Sequence, residues 1–445
     1  METESPMSPW RFVVWWGTVS LLADVVYEGA RSITGPYLLS LGASAATVGI
    51  ISGVGEATAL IGRLFSGPLA DSTRAYWPLA IGGYAMTAVS VPLLGLTPVL
   101  WVGAALLICE RAGKALRTPS RDAMLAHATS GIGRGKGFAV HEVLDQVGAT
   151  LGPLAVAFVF SLTSSFAPSF AMLALPGAAA IALLIRLRRQ IPDPAVFERA
   201  TASPDSSDLP PESPAAGGSG VGELGVGSGV GSGAGEPAAG SRFRAVVDPL
   251  PPLFWRYLAF TMTATAGFST FAVLGVHLVR AEVVQPGVVP VLYAVAMVVD
   301  AACALVAGHA FDRIGRRVLV VVPPLTCVVA LLAFSTSLGL AIAGVAAWGC
   351  VVGVQDSVMK AGVAGLVAPG ARAAAYGVFA AGFGVAALVG GVLAGSLYDV
   401  SITALRCAVI VLEVAAFLQL PRILSQHHPP LSSQHHPPLS DYGET

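Results

Sequence analysis

Long apolar runs recur along the chain, each about the length of helix that crosses a bilayer core, roughly 20 residues for about 30 Å. The first six fall near residues 11–40, 46–70, 76–96, 99–120, 136–162 and 166–187. A second six fall near 254–278, 287–310, 317–338, 340–364, 373–397 and 402–421. Gly, Pro and charged clusters separate them. Only helices and closed barrels satisfy their backbone hydrogen bonds in lipid, and barrel strands alternate apolar with polar residues. These runs do not alternate, so the pattern predicts an all-α integral membrane protein of about twelve transmembrane helices, arranged as two pseudo-symmetric six-helix bundles.

Basic residues fix the expected orientation, because Lys and Arg gather on the cytoplasmic side. Arg11, Arg74, Arg134, Lys136, Arg186, Arg188, Arg189, Arg242, Arg244, Arg313, Arg316, Arg317, Arg372 and Arg422 fall in alternate connections or at the termini. The opposite connections are nearly bare, Arg280 excepted. Both termini are therefore expected inside, in a multi-pass protein of the plasma membrane, or of the inner membrane in a bacterium. The first run follows Pro9 and is longer than the apolar core of a signal peptide, about 7–15 residues, so it reads as a mature span.

Between the halves the pattern fails. Residues 190–252 are rich in Pro, Ser and Gly, most of all from Gly217 to Gly235, a composition that cannot bury a core. The expected organisation is a first bundle at 1–188, a disordered cytoplasmic linker at 189–253, a second bundle at 254–424 and a disordered tail at 425–445. The tail repeats SQHHPPLS at 425–432 and 433–440. Its histidines lack the Cys or carboxylate that would complete a closed metal site.

Composition narrows the function. Of 445 residues 54% are hydrophobic and 11% charged, against about 25% charged in soluble domains. A net charge of -1 argues against nucleic acid as a partner. The five cysteines lie in apolar stretches at irregular spacing and read as small core residues. No Walker A sequence is present, so ATP-driven pumping has no support. Nothing calls for a cofactor, a metal or an enzymatic nucleophile. The expected partners are a small-molecule substrate, a coupling proton and the lipid bilayer, and the expected working unit is a monomer.

The halves echo one another. Span two ends in Gly67-Pro68-Leu69-Ala70-Asp71-Ser72-Thr73-Arg74, and span eight in Gly308-His309-Ala310-Phe311-Asp312-Arg313-Ile314-Gly315-Arg316-Arg317. Spans five and eleven correspond through Arg134 with Gly137-Phe138 and Arg372 with Gly377-Val378. On these residues the chain resembles the major facilitator superfamily of secondary transporters, over everything but linker and tail. The second-half loop is similar to that family's G-x-x-x-D-R-x-G-R-R signature. The first-half copy departs from it, with Ser72 for the usual Arg and no Gly before Arg74. Gly148, Gly152 and Pro153 resemble the family's G-x-x-x-G-P motif, associated with exporters, although Leu154-Ala155 follow instead of glycines. The resemblance implies that the Asp71 and Asp312 loops latch the cytoplasmic side during alternation. Gly67 and Gly308 would let the helices approach closely there. A loop that merely fixes topology is the alternative.

Ionisable residues inside a membrane cost at least about 2.5–3.5 kcal/mol each and need a partner or a wet cavity. They concentrate in the first half. Asp24, Glu28 and Arg31 share one face of span one; at about 1.5 Å per residue Asp24 falls near mid-depth. Span two adds Glu56 and Arg63. Span four carries Glu110, Arg111, Lys114, Arg117, Arg121 and Asp122, and span five His141, Glu142 and Asp145. Since spans four and five are sequential, Lys114 and Arg117 are expected level with Glu142 and Asp145. The second half offers Asp300 and the i,i+4 pair Asp356 and Lys360; His277 and His309 are expected at the interface. In one reading these residues line a cavity and a carboxylate carries a coupling proton. In the other they are ion pairs that fix helix packing. A secondary transporter with its site near the midplane between the halves follows. Export of an organic compound by proton antiport is slightly favoured. Uptake of a small organic anion on Arg31, Arg111 and Lys114, or a receptor that has lost transport, are the alternatives.

Overall fold

The computed structural model describes residues 7–129, 132, 134–194, 196–197, 250–368 and 371–424. Most of the expected linker and all of the tail lie outside these residues, as does the Gly217–Gly235 run. Among the described residues there is no strand, and nine segments are long and apolar enough to cross a membrane.

The first half comprises α1 (Pro9–Ser40), α2 (Ala45–Ile61), α3 (Arg63–Thr73), α4 (Tyr76–Leu94), α5 (Leu100–Ala128), α6 (Arg134–Thr163), α7 (Phe166–Ala171) and α8 (Ala174–Gln190). The second comprises α9 (Pro252–Ala266), α10 (Phe271–Arg280), α11 (Val289–Ile314), α12 (Val322–Leu332), α13 (Leu338–Val354), α14 (Lys360–Ala364), α15 (Arg372–Val400), α16 (Ile402–Gln419) and α17 (Pro421–Leu424). Local sequence starts these helices. The Ser8 hydroxyl accepts from the Arg11 amide with Pro9 opening α1, and Ser44 and Ser401 cap α2 and α16 in the same way, each satisfying an amide that the first turn leaves free. Although α1 and α5 have spanning length, at 32 and 29 residues, the charge cluster lowers their apolarity. The 47-residue segment Pro286–Leu332 holds two helices, α11 and α12, parted by a 3-10 stretch at Gly315–Val321.

Two of the interruptions within spans adjoin the centre of the second half. Gly267–Thr270 separates α9 from α10, and the Trp348 indole donates to the Ser269 carbonyl at that break, 2.9 Å away. A π-helical stretch at Gln355–Met359 joins α13 to α14, and the Tyr257 hydroxyl donates to its Met359 carbonyl at 2.8 Å. Irregular backbone of this kind is tolerated at membrane depth only where protein or a wet cavity covers it.

The helices interleave rather than follow chain order. In the first half α6 packs along α1, and α4 along α5; in the second α15 packs along α9, and α12 along α13. Between the halves α2 lies on α15 and α6 on α11, contacts that exchange under the internal repeat. Large apolar side chains such as Phe158, Leu162, Leu305, Val411 and Leu418 face outward, as lipid requires. The packed body extends past the expected bundle edges: Ile191, Phe197 and Leu250 are buried, and the Trp77 indole donates to the Ile191 carbonyl.

The repeated loops share one backbone device. Aligning Gly67 with Gly308 sets Arg74 against Gly315, and both have positive φ, 52° and 61°. The chain reverses at the same register in both copies, but the first places a side chain where φ favours glycine. Arg74→Gly is expected to stabilise the protein by up to about 1 kcal/mol, read as a raised midpoint of thermal unfolding in detergent. An unchanged or lowered midpoint would mean that contacts of the Arg74 side chain outweigh the strain.

Candidate functional site

Between the halves lies a cavity of about 1440 Å³. It opens at the end that carries the chain termini: Leu64, Phe65, Gly67, Asp71, Tyr376 and Gly377 line its mouth. The opposite end is shut. There Gly35 of α1 sits on the Ala272 carbonyl, Gly49 of α2 on the Gly391 carbonyl and Gly395 of α15 on the Ala45 carbonyl, each with no room for a Cβ. Asp399 completes the closure. It accepts from the Ala45 and Ala46 amides at 3.3 and 2.8 Å and from Arg280 at 2.7 Å, a carboxylate placed at the N-terminus of α2 where the helix dipole favours it.

The two walls differ in chemistry. On the first-half side five residues alternate in charge, Arg31 and Glu56 lining the cavity and Glu28, Glu110 and Arg111 packed behind them. Arg31 lies 3.6 Å from Glu28 and 3.2 Å from Glu56. Arg111 lies 3.6 Å from Glu56 and 3.6 Å from Glu110. At one end of this ladder the Tyr293 hydroxyl of α11 donates to Glu28 at 2.5 Å, so a second-half side chain closes on a first-half carboxylate. Tyr27, one turn from Asp24 and Arg31 on α1, presents its ring to four cations: the Lys114 ammonium is 3.7 Å and the Arg111 guanidinium 4.4 Å from its centroid, with Arg31 and Arg117 each at 6.0 Å. The positions of Lys114 and Arg111 are the most favourable for cation–π attraction. Among the described residues no carboxylate stands within ion-pair distance of Lys114, which also lines the cavity.

Against this wall the second half sets Phe268, Trp348, Val352, Phe379 and Phe383, with Gln355, Asp356 and Lys360 deeper toward the mouth. Asp356 and Lys360 pair at 2.9 Å. Phe268 and Phe271 stack on or edge against Trp348 at 5.5 and 5.3 Å.

Some expected groupings differ. Lys114 and Arg117 do not meet Glu142 and Asp145. Arg117 lies 3.9 Å from Asp24 and donates to Thr87 at 2.7 Å, while Asp145 lies 3.4 Å from Arg121 and 3.6 Å from His141. Glu142 is exposed. The reason is packing order: α6 follows α5 in sequence but lies on α1. His141 also bonds the Ser20 hydroxyl at 2.8 Å. His277 is fully buried, bonded to the Tyr398 hydroxyl at 3.1 Å and the Ser335 carbonyl at 3.2 Å; His309 is exposed.

At the loops, a Cβ on Gly67 would have Pro119 4.0 Å away and one on Gly308 would meet nothing within 4 Å. The close approach expected there is missing because that end stands open. Asp71, Asp312 and Arg313 are exposed, and Arg316 and Arg317 follow them around the turn. Gly148 and Gly152 pack against the Leu21 and Val25 carbonyls of α1, with Pro153 next to them in α6. Sequence reasoning passed over Tyr27, Tyr293, Asp399 and the aromatic wall. Tyr27 carried a signal, sharing the charged face of α1, and Arg280, the one basic residue out of place, pointed toward Asp399.

Comparison with known proteins accounts for this architecture. The family model of the Major Facilitator Superfamily matches residues 18–281 and 257–440. The chain belongs to that superfamily, and its function is that of an MFS-type transporter in a membrane it crosses many times. An uncharacterized protein of Mycobacterium tuberculosis strain H37Rv is 46% identical over 427 residues, covering 95% of this chain and 96% of that one. An uncharacterized MFS-type transporter of Methanocaldococcus jannaschii is 31% identical over 152 residues, 34% of this chain and 38% of that protein. Among solved structures, the nucleoside transporter NupG superposes with TM-score 0.67 at 12% identity, covering 93% of this chain and 98% of that chain. An inward-facing bacterial homolog of the human lysosomal transporter Spinster gives 0.61 at 13% identity, covering 95% and 96%. At such identities these structures share the fold alone.

Proposed function

We propose that the protein is a proton-coupled secondary transporter that exports a small amphipathic organic solute by alternating access. The observation that carries this reading is the contrast between the cavity walls: Arg31, Glu56, Arg63 and Lys114 on the first-half side, and Phe268, Trp348, Phe379 and Phe383 on the second-half side, whose only charges are the mutually paired Asp356 and Lys360 among the described lining residues. An organic solute with one polar end and one apolar body satisfies both. Glu28, Arg31, Glu56, Glu110, Arg111 and Lys114 take the polar end or the coupling proton, and Phe268, Trp348, Phe379 and Phe383 take the apolar body. Gly148 and Gly152 let α6 move against α1 with backbone in contact. Counting α1, α5 and the two helices of Pro286–Leu332 as spans gives the twelve-span architecture. In it the termini, the Asp71 and Asp312 latch loops and the 189–253 linker face the cytoplasm of a monomer in the plasma membrane. Protease added to sealed right-side-out vesicles should then leave the linker intact.

Lys114 favours a second reading, uptake of a small organic anion. Its ammonium stands on Tyr27 in the cavity wall, free of a carboxylate among the described residues, and suits a substrate carboxylate or phosphate. Flux into proteoliposomes separates the readings. Antiport predicts that an acidic lumen drives solute in, whereas symport requires an acidic exterior. In the uptake reading Lys114→Gln weakens anion binding by about tenfold, equivalent to ~1.4 kcal/mol. Binding without flux under either gradient would leave only a receptor.

A further inference from the structure

Glu413 of α16 takes no part in the site described above. Its side chain is fully buried, 0% exposed, and neither carboxylate oxygen has a hydrogen-bond partner among the described residues. An ionised carboxylate held in this way costs several kcal/mol, and a neutral acid far less. Of the helices packed around α16, α9 carries Arg256, α15 carries Arg372 and Asp399, α17 carries Arg422 and α12 carries no charge; among the described residues none of these pairs with Glu413, and the Cys327 thiol of α12 is its titratable neighbour.

What faces the carboxyl is Gly267, the residue at which α9 stops. A Cβ there would collide with the Glu413 Oε1 atom, so the glycine that permits the break also makes room for the acid. Around the same break Thr265, Phe268 and Thr270 line the large cavity, and the hydroxyls of Thr265 and Thr270 likewise have no hydrogen-bond partner among the described residues. The interruption at Gly267–Thr270 thus separates cavity water from a sealed carboxyl, with unengaged hydroxyls beside it.

We propose that Glu413 is a proton-binding site of the second half, loaded and emptied through the break between α9 and α10. With the break hydrated, the carboxylate takes a proton from hydronium in the cavity. An O–H bond forms, a water molecule is left behind, and the site becomes neutral. With the break closed on Trp348, as here, the acid is held without a counter-charge. Release reverses the step: when α10 moves, water reaches the carboxyl and accepts the proton. This site does not rest on the proposed coupling role of Glu28, which lies in the other half.

Infrared spectroscopy of the full-length protein in lipid reads the carboxyl directly. The wild-type protein is expected to show a protonated-acid C=O band that Glu413→Gln removes, equivalent to one proton per chain. That band should fade reversibly as pH is raised while the protein stays folded. Should Glu413→Gln fail to reach the membrane, Glu413→Asp is expected to shift the band and its midpoint instead. A spectrum that neither variant alters would overturn the proposal, since Glu413 would then be ionised. So would a band assigned to Glu413 that persists at every pH the fold survives, because the group would be a permanently neutral packing residue.

Discussion

Glu28→Gln is expected to abolish pH-driven accumulation of substrate, down to the protein-free background, while substrate exchange stays within about twofold, less than ~0.5 kcal/mol of barrier. The glutamine keeps the size of the side chain and still accepts from Tyr293, so the closed end of the cavity keeps its geometry. What it loses is the proton. The partner that changes during alternation cannot be Arg31, because Glu28 and Arg31 ride on one helix three residues apart. Nor does Arg111 reach Glu28; it pairs with Glu56 and Glu110. Tyr293 belongs to the other half, and its hydroxyl stabilises negative charge on Glu28 only while the halves are closed at that end. In the proposed coupling cycle, opening withdraws that donor and leaves the carboxylate to exchange a proton with the exposed side. Tyr293→Phe should mimic part of this loss. Asp24→Asn should show a weaker version, since Arg117 holds Asp24 from within the same half, and Glu110 is the reserve. A Glu28→Gln protein that still concentrates substrate on a pH gradient alone would remove Glu28 from the coupling mechanism.

The first-half charges were legible because each is an ionisable residue in an apolar run, and the membrane makes such residues stand out. The spans were legible for the same reason, and the repeat because its loops carry Gly, Asp and Arg at fixed spacing. Pairing was not. Chain order places Lys114 and Arg117 beside Glu142 and Asp145; the interleaved packing gives Asp145 to Arg121 and leaves Arg117 with Asp24. Tyr293 meets Glu28 across 265 residues of sequence, and nothing local in either segment announces the other. Trp348, Phe379 and Phe383 look like any apolar residues of a span until the packing of α13 and α15 sets them in the cavity wall.

Gly391→Val is expected to remove transport of both kinds, driven accumulation and exchange alike. Gly391 of α15 faces the Gly49 carbonyl of α2 at the closed end, Gly53 of α2 lies 3.0 Å from the Leu388 backbone by the same measure of an added Cβ, and Gly395 faces the Ala45 carbonyl. Each neighbour is backbone, which has no rotamer through which to retreat. Overpacking a tight contact costs about 1–3 kcal/mol even where side chains can yield. With ~1.4 kcal/mol per factor of ten, closure at this end becomes roughly 5- to 140-fold less populated. The bonds from Asp399 to the Ala45 and Ala46 amides depend on the same approach and should be lost with it. The protein remains free to fold in the form that is open here and shut at the other end. A cysteine introduced at Ser44 should then become reactive to a membrane-impermeant maleimide, with Gly391→Ala intermediate between wild type and Gly391→Val. Equal labelling in all three proteins, with flux unchanged, would show that the α2–α15 seam does not move when the cavity changes sides.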